Sequence, residues 1–364
     1  MALTTVSPAL LDTQAQYTGF KNRIINGDMR IDQRNAGASF SNPNGYQFSV
    51  DRWTTYGTQA GKFSTQQTSG AVLPPSGFTN YLGFTSLSAY SLTSSDIFFL
   101  THRIEGANTS DFNWGISSAA TATLSFVVCS SLTGLFGGVI QCGSGSYPFT
   151  YSISSSNTWT NVVISIPANT FYLPASTSNG KGITILFGLG VGSANSASAG
   201  SWQASSPYSA TGTVSVVGTA GATWYITGVQ LEKGSTATSF DYRDYGSELI
   251  RCQRYYQIGR THGQLIGIYW LGAQDSFHIP QIAFPVVMRA SITGTAVANQ
   301  LGGAYWTNPA TSTFSAQSTA GWTAVGTSTN LYLRNDRQAG GNTPTSGMGY
   351  SFEAGVFWTA SAEL

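Results

Sequence analysis

Charge is what this chain has least of. Only 9% of its 364 residues are Lys, Arg, Asp or Glu, and 16 basic against 15 acidic residues leave a net charge of +1. A soluble protein usually carries about 25%. A nucleic-acid binder needs a basic face to neutralise phosphates, so near-neutrality argues against that class. No apolar run is long enough to span a bilayer as a helix. Residues 1–19 have neither a basic n-region nor a long apolar h-region, which argues against a secretory signal peptide and for synthesis in a cytoplasm. Cysteine is scarce too: Cys129, Cys142 and Cys252. An odd count argues against a disulfide framework. Cys129 and Cys142 flank an apparent turn at 133–138, and either face each other on paired strands or serve as small buried hydrophobes.

What is abundant points elsewhere. Aromatics make up 13% of the chain and there are 42 glycines, which excludes a long disordered tail. Low charge with abundant Gly, Ser, Thr and aromatics suits a rigid particle component that works outside the cell after lysis.

The remaining charges are unevenly placed. Between Phe112 and Leu231 the only formal charge is Lys181, whereas 241–260 holds Asp241, Arg243, Asp244, Glu248, Arg251, Arg254 and Arg260. That change marks a boundary, and a second lies near residue 20. From there to about 242, short runs alternate with period two: 125–129, 162–167, 182–189, 213–217 and 223–231. β-Branched and aromatic residues in that rhythm, separated by Gly, Ser, Asn and Pro clusters, predict strands. Their even spacing predicts a β-sandwich or jelly roll. Residues 245–257 form the best helix candidate, with Ser247 as its cap and Glu248 at its positive end. Leu249, Cys252 and Tyr256 share one face. Arg251, Arg254 and Tyr255 either contact neighbouring subunits or belong to a plain linker helix. Further strands are expected at 265–270, 277–284, 321–325, 331–333 and 355–358, with loops at 305–309 and 342–344. The expected class is all-β: an arm (1–20), a jelly-roll domain (21–242), a linker helix (243–257) and a smaller C-terminal sandwich (258–364).

A glycosidase needs two carboxylates across a cleft. The candidates Asp96, Glu105 and Asp111 are irregularly spaced around apparent loops. His102, His262 and His278 do not form a zinc or triad spacing, and no solenoid repeat suggests a depolymerase. A binder fits better, because aromatic faces can stack on sugar rings while Asn, Gln, Ser and Thr bond hydroxyls. The bulk-poor stretch 190–209 reads as a long loop around Trp202 and Tyr208. Trp202 is either a cap over the sandwich edge or an exposed platform. Trp114 and Trp159 are the other candidate platforms. Arg23, Asp28, Arg30, Asp51 and Arg52 read either as a paired seam or as ordinary surface pairs, and Trp53 also suits the start of a strand that plugs the sandwich.

Several strings resemble tailed-bacteriophage virion proteins of the tail-fibre or head-fibre type. They are Asn22-Arg-Ile-Ile-Asn-Gly-Asp-Met-Arg-Ile-Asp-Gln-Arg-Asn35 with Val50-Asp-Arg-Trp53, Trp224-Tyr-Ile-Thr-Gly-Val-Gln-Leu-Glu-Lys-Gly234, Ala237-Thr-Ser-Phe-Asp-Tyr-Arg243, Glu248-Leu-Ile-Arg-Cys-Gln-Arg-Tyr-Tyr256, Phe284-Pro-Val-Val-Met-Arg-Ala290 and Ala360-Ser-Ala-Glu-Leu364. The second string looks like the last strand of a carbohydrate-binding-module-like jelly roll. The resemblance implies a non-enzymatic virion protein on the particle exterior, most simply a homotrimer. Residues 1–20 would dock it onto other virion proteins, and its middle block, 110–222, would read a bacterial surface polysaccharide. A capsid-decoration or head-fibre role without receptor binding is the competing implication. No cofactor is expected. Jelly rolls of the resembled type often hold calcium, but no acid-rich loop here supports one.

Overall fold

The computed structural model describes residues 20–69, 72–260, 276–278, 282–291, 304–308, 313–317, 322–336 and 357–364. It divides into two compact units, one running to Glu248 and including Leu364, the other from Leu249 to Glu363. The expected arm, the 265–270 strand and the 342–344 loop lie outside the described residues.

The first unit is built of strands Phe40–Ser41 (β1), Gly45–Phe48 (β2), Trp53–Gly57 (β3), Phe63–Gln67 (β4), Leu82–Ser86 (β5), Ile97–Glu105 (β6), Ala122–Ser130 (β7), Gly134–Cys142 (β8), Gly145–Ile153 (β9), Thr160–Ile166 (β10), Lys181–Val191 (β11), Ser196–Ala197 (β12), Ser209–Ala210 (β13) and Thr223–Lys233 (β14). Twelve of them form two six-stranded antiparallel sheets, β1-β4-β5-β14-β7-β10 and β2-β3-β6-β11-β8-β9, and β12 and β13 form a short parallel pair. Neighbours in space are mostly distant in sequence, as in a jelly roll. Alternation decides which side faces in. On β10, Val162 and Ile166 are buried while Val163 is 56% exposed. On β6, Phe98, Leu100, His102 and Ile104 enter the core, and Phe99, Thr101 and Arg103 point the other way.

The core between the sheets is aromatic. Phe63 stacks on Phe84 at 4.0 Å, and Phe187 meets Phe126 edge-on at 5.1 Å. Trp224 fills the centre and donates its indole N–H to Tyr151 Oη at 3.1 Å. Each such fully buried side chain contributes about 1.5–3 kcal/mol by leaving water. The opening motif closes this sandwich. Arg23 N donates to Leu231 O at 2.9 Å and Asn22 Nδ2 to Val229 O at 3.1 Å. There β14 bulges between Thr227 and Gln230, and Gly228 adopts φ +61°. Trp53 opens β3 fully buried and donates to Asn26 O at 2.9 Å, so the plug reading holds.

Four local expectations need correction. Residues 213–217 are not a strand: Val214, Val216 and Val217 send their N–H groups to Leu135 and Leu189, and Tyr90 bonds Val217. With partners split among three segments, this stretch plugs the sandwich instead of running along one neighbour. The helix is shorter than expected, Tyr245–Gln253. Asp244 Oδ1, rather than Ser247, caps it by accepting from Ser247 N at 2.9 Å. Tyr256 then opens a strand, Tyr256–Arg260, paired with Phe357–Ser361, as adjacent aromatics favour. The loop expected at 305–309 is, over 304–308, a strand paired with Thr313–Gln317, as its β-favouring Tyr305, Trp306 and Thr307 allow. The small-hydrophobe reading of the cysteines holds: Cys129 and Cys142 are free and buried in different sheets, because β7 and β8 pair with other strands.

The second unit also holds Ser276–His278, Ile282–Ala283 and Trp322–Gly326, all paired with Asn330–Asp336. No described helix is long and apolar enough to cross a membrane.

Candidate functional site

The outward face of the second sheet carries a row of side chains set by register. Tyr46 lies opposite Tyr56, Tyr56 opposite Phe99, and Phe99 opposite Gly188. Two residues along, Thr101, Leu186 and Val139 form the next row, and Arg103, Thr184 and Gln141 the one after. The rings pack closely: Tyr46 to Tyr56 at 4.7 Å, and Tyr56 stacked on Phe99 at 5.2 Å.

One wall of this trough comes from the long loop. Gly188 makes it possible, since a Cβ there would come within 2.3 Å of Ser209 Oγ. Without side chains at Gly188 and Gly137, β13 lies directly on the sheet, and Tyr208 stacks on Phe99 at 5.4 Å with rings 4° from parallel. Gln141 Nε2 pins the loop by donating to Pro207 O at 3.1 Å. The result is a pocket of about 170 Å³ lined by Tyr46, Phe99, Thr101, Arg103, Gln141, Lys181, Thr184, Leu186, Ser206 and Tyr208. Pockets enclosing whole drug-sized ligands measure about 300–1,000 Å³. This one suits a single ring of a longer chain lying across the sheet.

Polar groups complete it. The Arg103 guanidinium sits 5.1 Å above the Tyr46 ring, and its Nη1 donates to the Leu364 main-chain oxygen. Burial, then the neighbouring Tyr46 and Tyr56, push the Tyr208 hydroxyl above its ordinary range, so it stays a neutral donor at physiological pH. Tyr46 is 53% exposed and lies beside hydroxyl, amide and guanidinium groups.

Of the aromatics singled out in the sequence, only Tyr208 stands in the trough. Trp202 is half-buried, donates to Pro167 O at 2.9 Å and packs on Trp114 at 5.2 Å and Tyr147 at 5.6 Å, which is the cap of the two alternatives. Trp114 is 3% exposed and bonded to Ala120 O. Trp159, on the other sheet, donates to Leu73 O and packs on Tyr81.

Arg23, Asp28, Asp51 and Arg52 are buried in the first unit, and Arg30 is partly buried there. Arg23 pairs with Asp111 at 2.9 Å and lies against Phe20 and Phe112. Asp28 pairs with Arg30 at 2.6 Å, and Arg30 also donates to Arg243 O at 2.6 Å. Asp51 accepts from Gln33, and Arg52 donates to Arg103 O at 2.6 Å. Arg251 lies in the last turn of the helix. In the second unit, Arg254 O accepts from Arg289 N at 2.8 Å, and Tyr255 is 1% exposed.

The glycosidase candidates are committed elsewhere. Asp96 accepts from Thr58, Tyr90 and Thr93. Burial alone would raise its pKa, but those bonds outweigh it and hold the carboxyl below its usual range. Asp111 faces Arg23 and Lys233, and Glu105 is buried. Among the described residues no group of three or more His, Cys, Asp or Glu could hold a metal ion. His102 is sealed beside Trp53, with Nε2 against Ile25 O at 3.1 Å.

No family model and no curated protein matches the chain. Solved structures show distant likenesses. The bacteriophage CBA120 tailspike protein 4 enzymatically active domain is 12% identical, with a TM-score of 0.33, over 58% of this chain and 21% of that one. TmCBM61 in complex with beta-1,4-galactotriose is 13% identical, with a TM-score of 0.31, over 58% of this chain and 99% of that one. The family 11 carbohydrate-binding module from Clostridium thermocellum, with a bound beta-1,3-1,4-mixed-linked tetrasaccharide, is 11% identical at a TM-score of 0.28, over 56% and 98%. The chain thus spans about a fifth of the tailspike domain's length.

Proposed function

We propose that the chain is a non-enzymatic glycan-binding protein whose reader is the trough of Tyr46, Tyr56, Phe99 and Tyr208. The observation that carries this is the exposed Tyr46 ring beside a small open pocket with hydroxyl, amide and guanidinium groups at ring distance. Exposed aromatic faces in a concave setting are a ligand-binding signature. Stacking on the apolar face of a sugar would contribute about 0.5–1.5 kcal/mol if aromatic-pair values transfer. Such a weak site gains avidity in several copies, which fits a homotrimer.

The setting we propose is the exterior of a bacteriophage virion, as a fibre that attaches the particle to a host-surface polysaccharide. The motif blocks at 22–35, 50–53, 224–243 and 248–256 support it. Residues 1–20 would be the docking arm, 21–242 the reading domain, 243–257 a linker and 258–364 a second β domain.

Adsorption of the purified protein to host cells tests the binding. Periodate oxidation of the cell surface should abolish adsorption and protease treatment should spare it. The reverse pattern would refute the glycan reading. Immunogold microscopy of intact particles locates the chain, and particles without label would refute the virion setting.

A further inference from the structure

We infer that the glycan read by the trough is acidic, bearing carboxylate or phosphate groups; this deepens the reading above and rests on it. The chain is nearly devoid of charge, so where its few cations lie is informative. From Phe112 to Leu231 Lys181 is the only charged residue, and the fold sets it on the pocket wall at the start of β11. It is exposed at the pocket's edge. Arg103, two strand positions before the end of β6, brings a second cation to the same pocket. Among the described residues no Asp or Glu side chain lines it. Glu105, the register partner of Lys181, is buried and is not part of the wall.

A neutral sugar would ask only for the rings and for groups such as Thr101, Gln141 and Thr184. Two cations and no Asp or Glu among the described lining residues add a preference for an anion, even with one Arg103 N–H already given to Leu364. The Arg103 guanidinium has five N–H donors in a fixed fork that matches a carboxylate or a phosphate, and one meets the Leu364 oxygen. Its place above Tyr46 puts that fork beside the ring on which a sugar would stack, so one residue of an acidic polysaccharide can use both. Lys181 acts as a mobile point charge at the rim.

The test is an array of bacterial capsular and cell-wall polysaccharides. Each is printed native, carboxyl-reduced and dephosphorylated with hydrofluoric acid, and is probed with the full-length protein. Binding confined to native acidic polymers, and lost on one of the two treatments, is expected; which treatment removes it tells carboxylate from phosphate. Lys181→Gln should weaken that binding about two- to fivefold at low salt, as for a solvent-exposed ion pair, with the difference shrinking as salt rises. Polymers that stay bound through both treatments, with Lys181→Gln unchanged and Tyr46→Ala impaired, would overturn the acidic preference and leave the trough standing. Failure to bind any polymer on the array would overturn both.

Discussion

Replacing Asn26 by Ala should cost the first unit about 4 kcal/mol, a large share of the stability of a typical domain. The figure is built from the structure. Asn26 Nδ2 donates to Ile31 O at 2.8 Å and to Asp51 O at 2.9 Å, and its Oδ1 accepts from Ile31 N at 2.9 Å. Ile31 and Asp51 are each 1% exposed, so water cannot replace the lost amide. Each unsatisfied buried partner costs about 1–3 kcal/mol. Asn26 also sits at φ +59°, where Asn is tolerated and Ala is disfavoured by about 1–2 kcal/mol. These losses share partners and do not add fully. The assay is urea unfolding followed by tryptophan fluorescence, with the transition of the first unit fitted separately because two units need not unfold together. Asn26→Gly is the control: it removes the backbone strain but not the missing bonds, and should recover only about 1 kcal/mol. A loss below about 1 kcal/mol for Ala, or full recovery with Gly, would refute the view that this amide latches the opening motif to β3.

Three further outcomes follow from the same geometry. Trp202→Ala should lower stability by about 2 kcal/mol, through lost packing and the unpaired Pro167 carbonyl, in thermal unfolding. His102 is held neutral: burial, then the Arg52 charge, pull its pKa well below 6.5. The unfolded chain therefore binds the extra proton below about pH 6.5, so stability is complete above that pH and falls by up to about 1.4 kcal/mol per unit as pH drops toward the folded value. Denaturant titrations between pH 7.5 and 5 should show this slope, and His102→Gln should flatten it. Burial pushes the Cys129 thiol to about 11 and the Cys142 thiol to about 12. Iodoacetamide at pH 8 should thus label neither in the native protein and both in urea, read by mass spectrometry.

Strand alternation was legible wherever one side was plainly apolar, as on β10 and β11; on β14 the bulge between Thr227 and Gln230 shifts it, so that Val229 rather than Gly228 joins Trp224 and Ile226 in the core. It was not legible on β6, because Phe98 and Phe99 are both apolar and only the register shows that one enters the core and the other the trough. Tyr46 was missed because β2 has four residues and too short a rhythm to read. The tryptophans drew attention as large, rare rings. Yet the indole N–H groups of Trp53, Trp114, Trp159 and Trp202 all go to main-chain carbonyls, which marks structural duty. No local pattern announces those partners, since Trp159 reaches 86 residues back to Leu73. Scarce charge was a sound signal that Arg23 and Asp28 are special, but Arg23 finds Asp111, 88 residues away, a pairing no spacing rule supplies. Lys181 stood out in the sequence by isolation alone, and only the sheet shows that it borders a pocket.

The most direct test of the trough is calorimetric titration of the protein with an oligosaccharide cut from a polysaccharide it binds. Tyr46→Ala and Trp202→Ala are compared with the unaltered chain at a temperature where all three are folded. Tyr46→Ala should weaken binding about three- to tenfold, the stacking contribution expected of one aromatic face, with its unfolding temperature unchanged. Trp202→Ala should bind as the unaltered chain does while unfolding earlier. Unchanged affinity for Tyr46→Ala together with lost affinity for Trp202→Ala would move the reader from the sheet face to the loop cap and contradict the account.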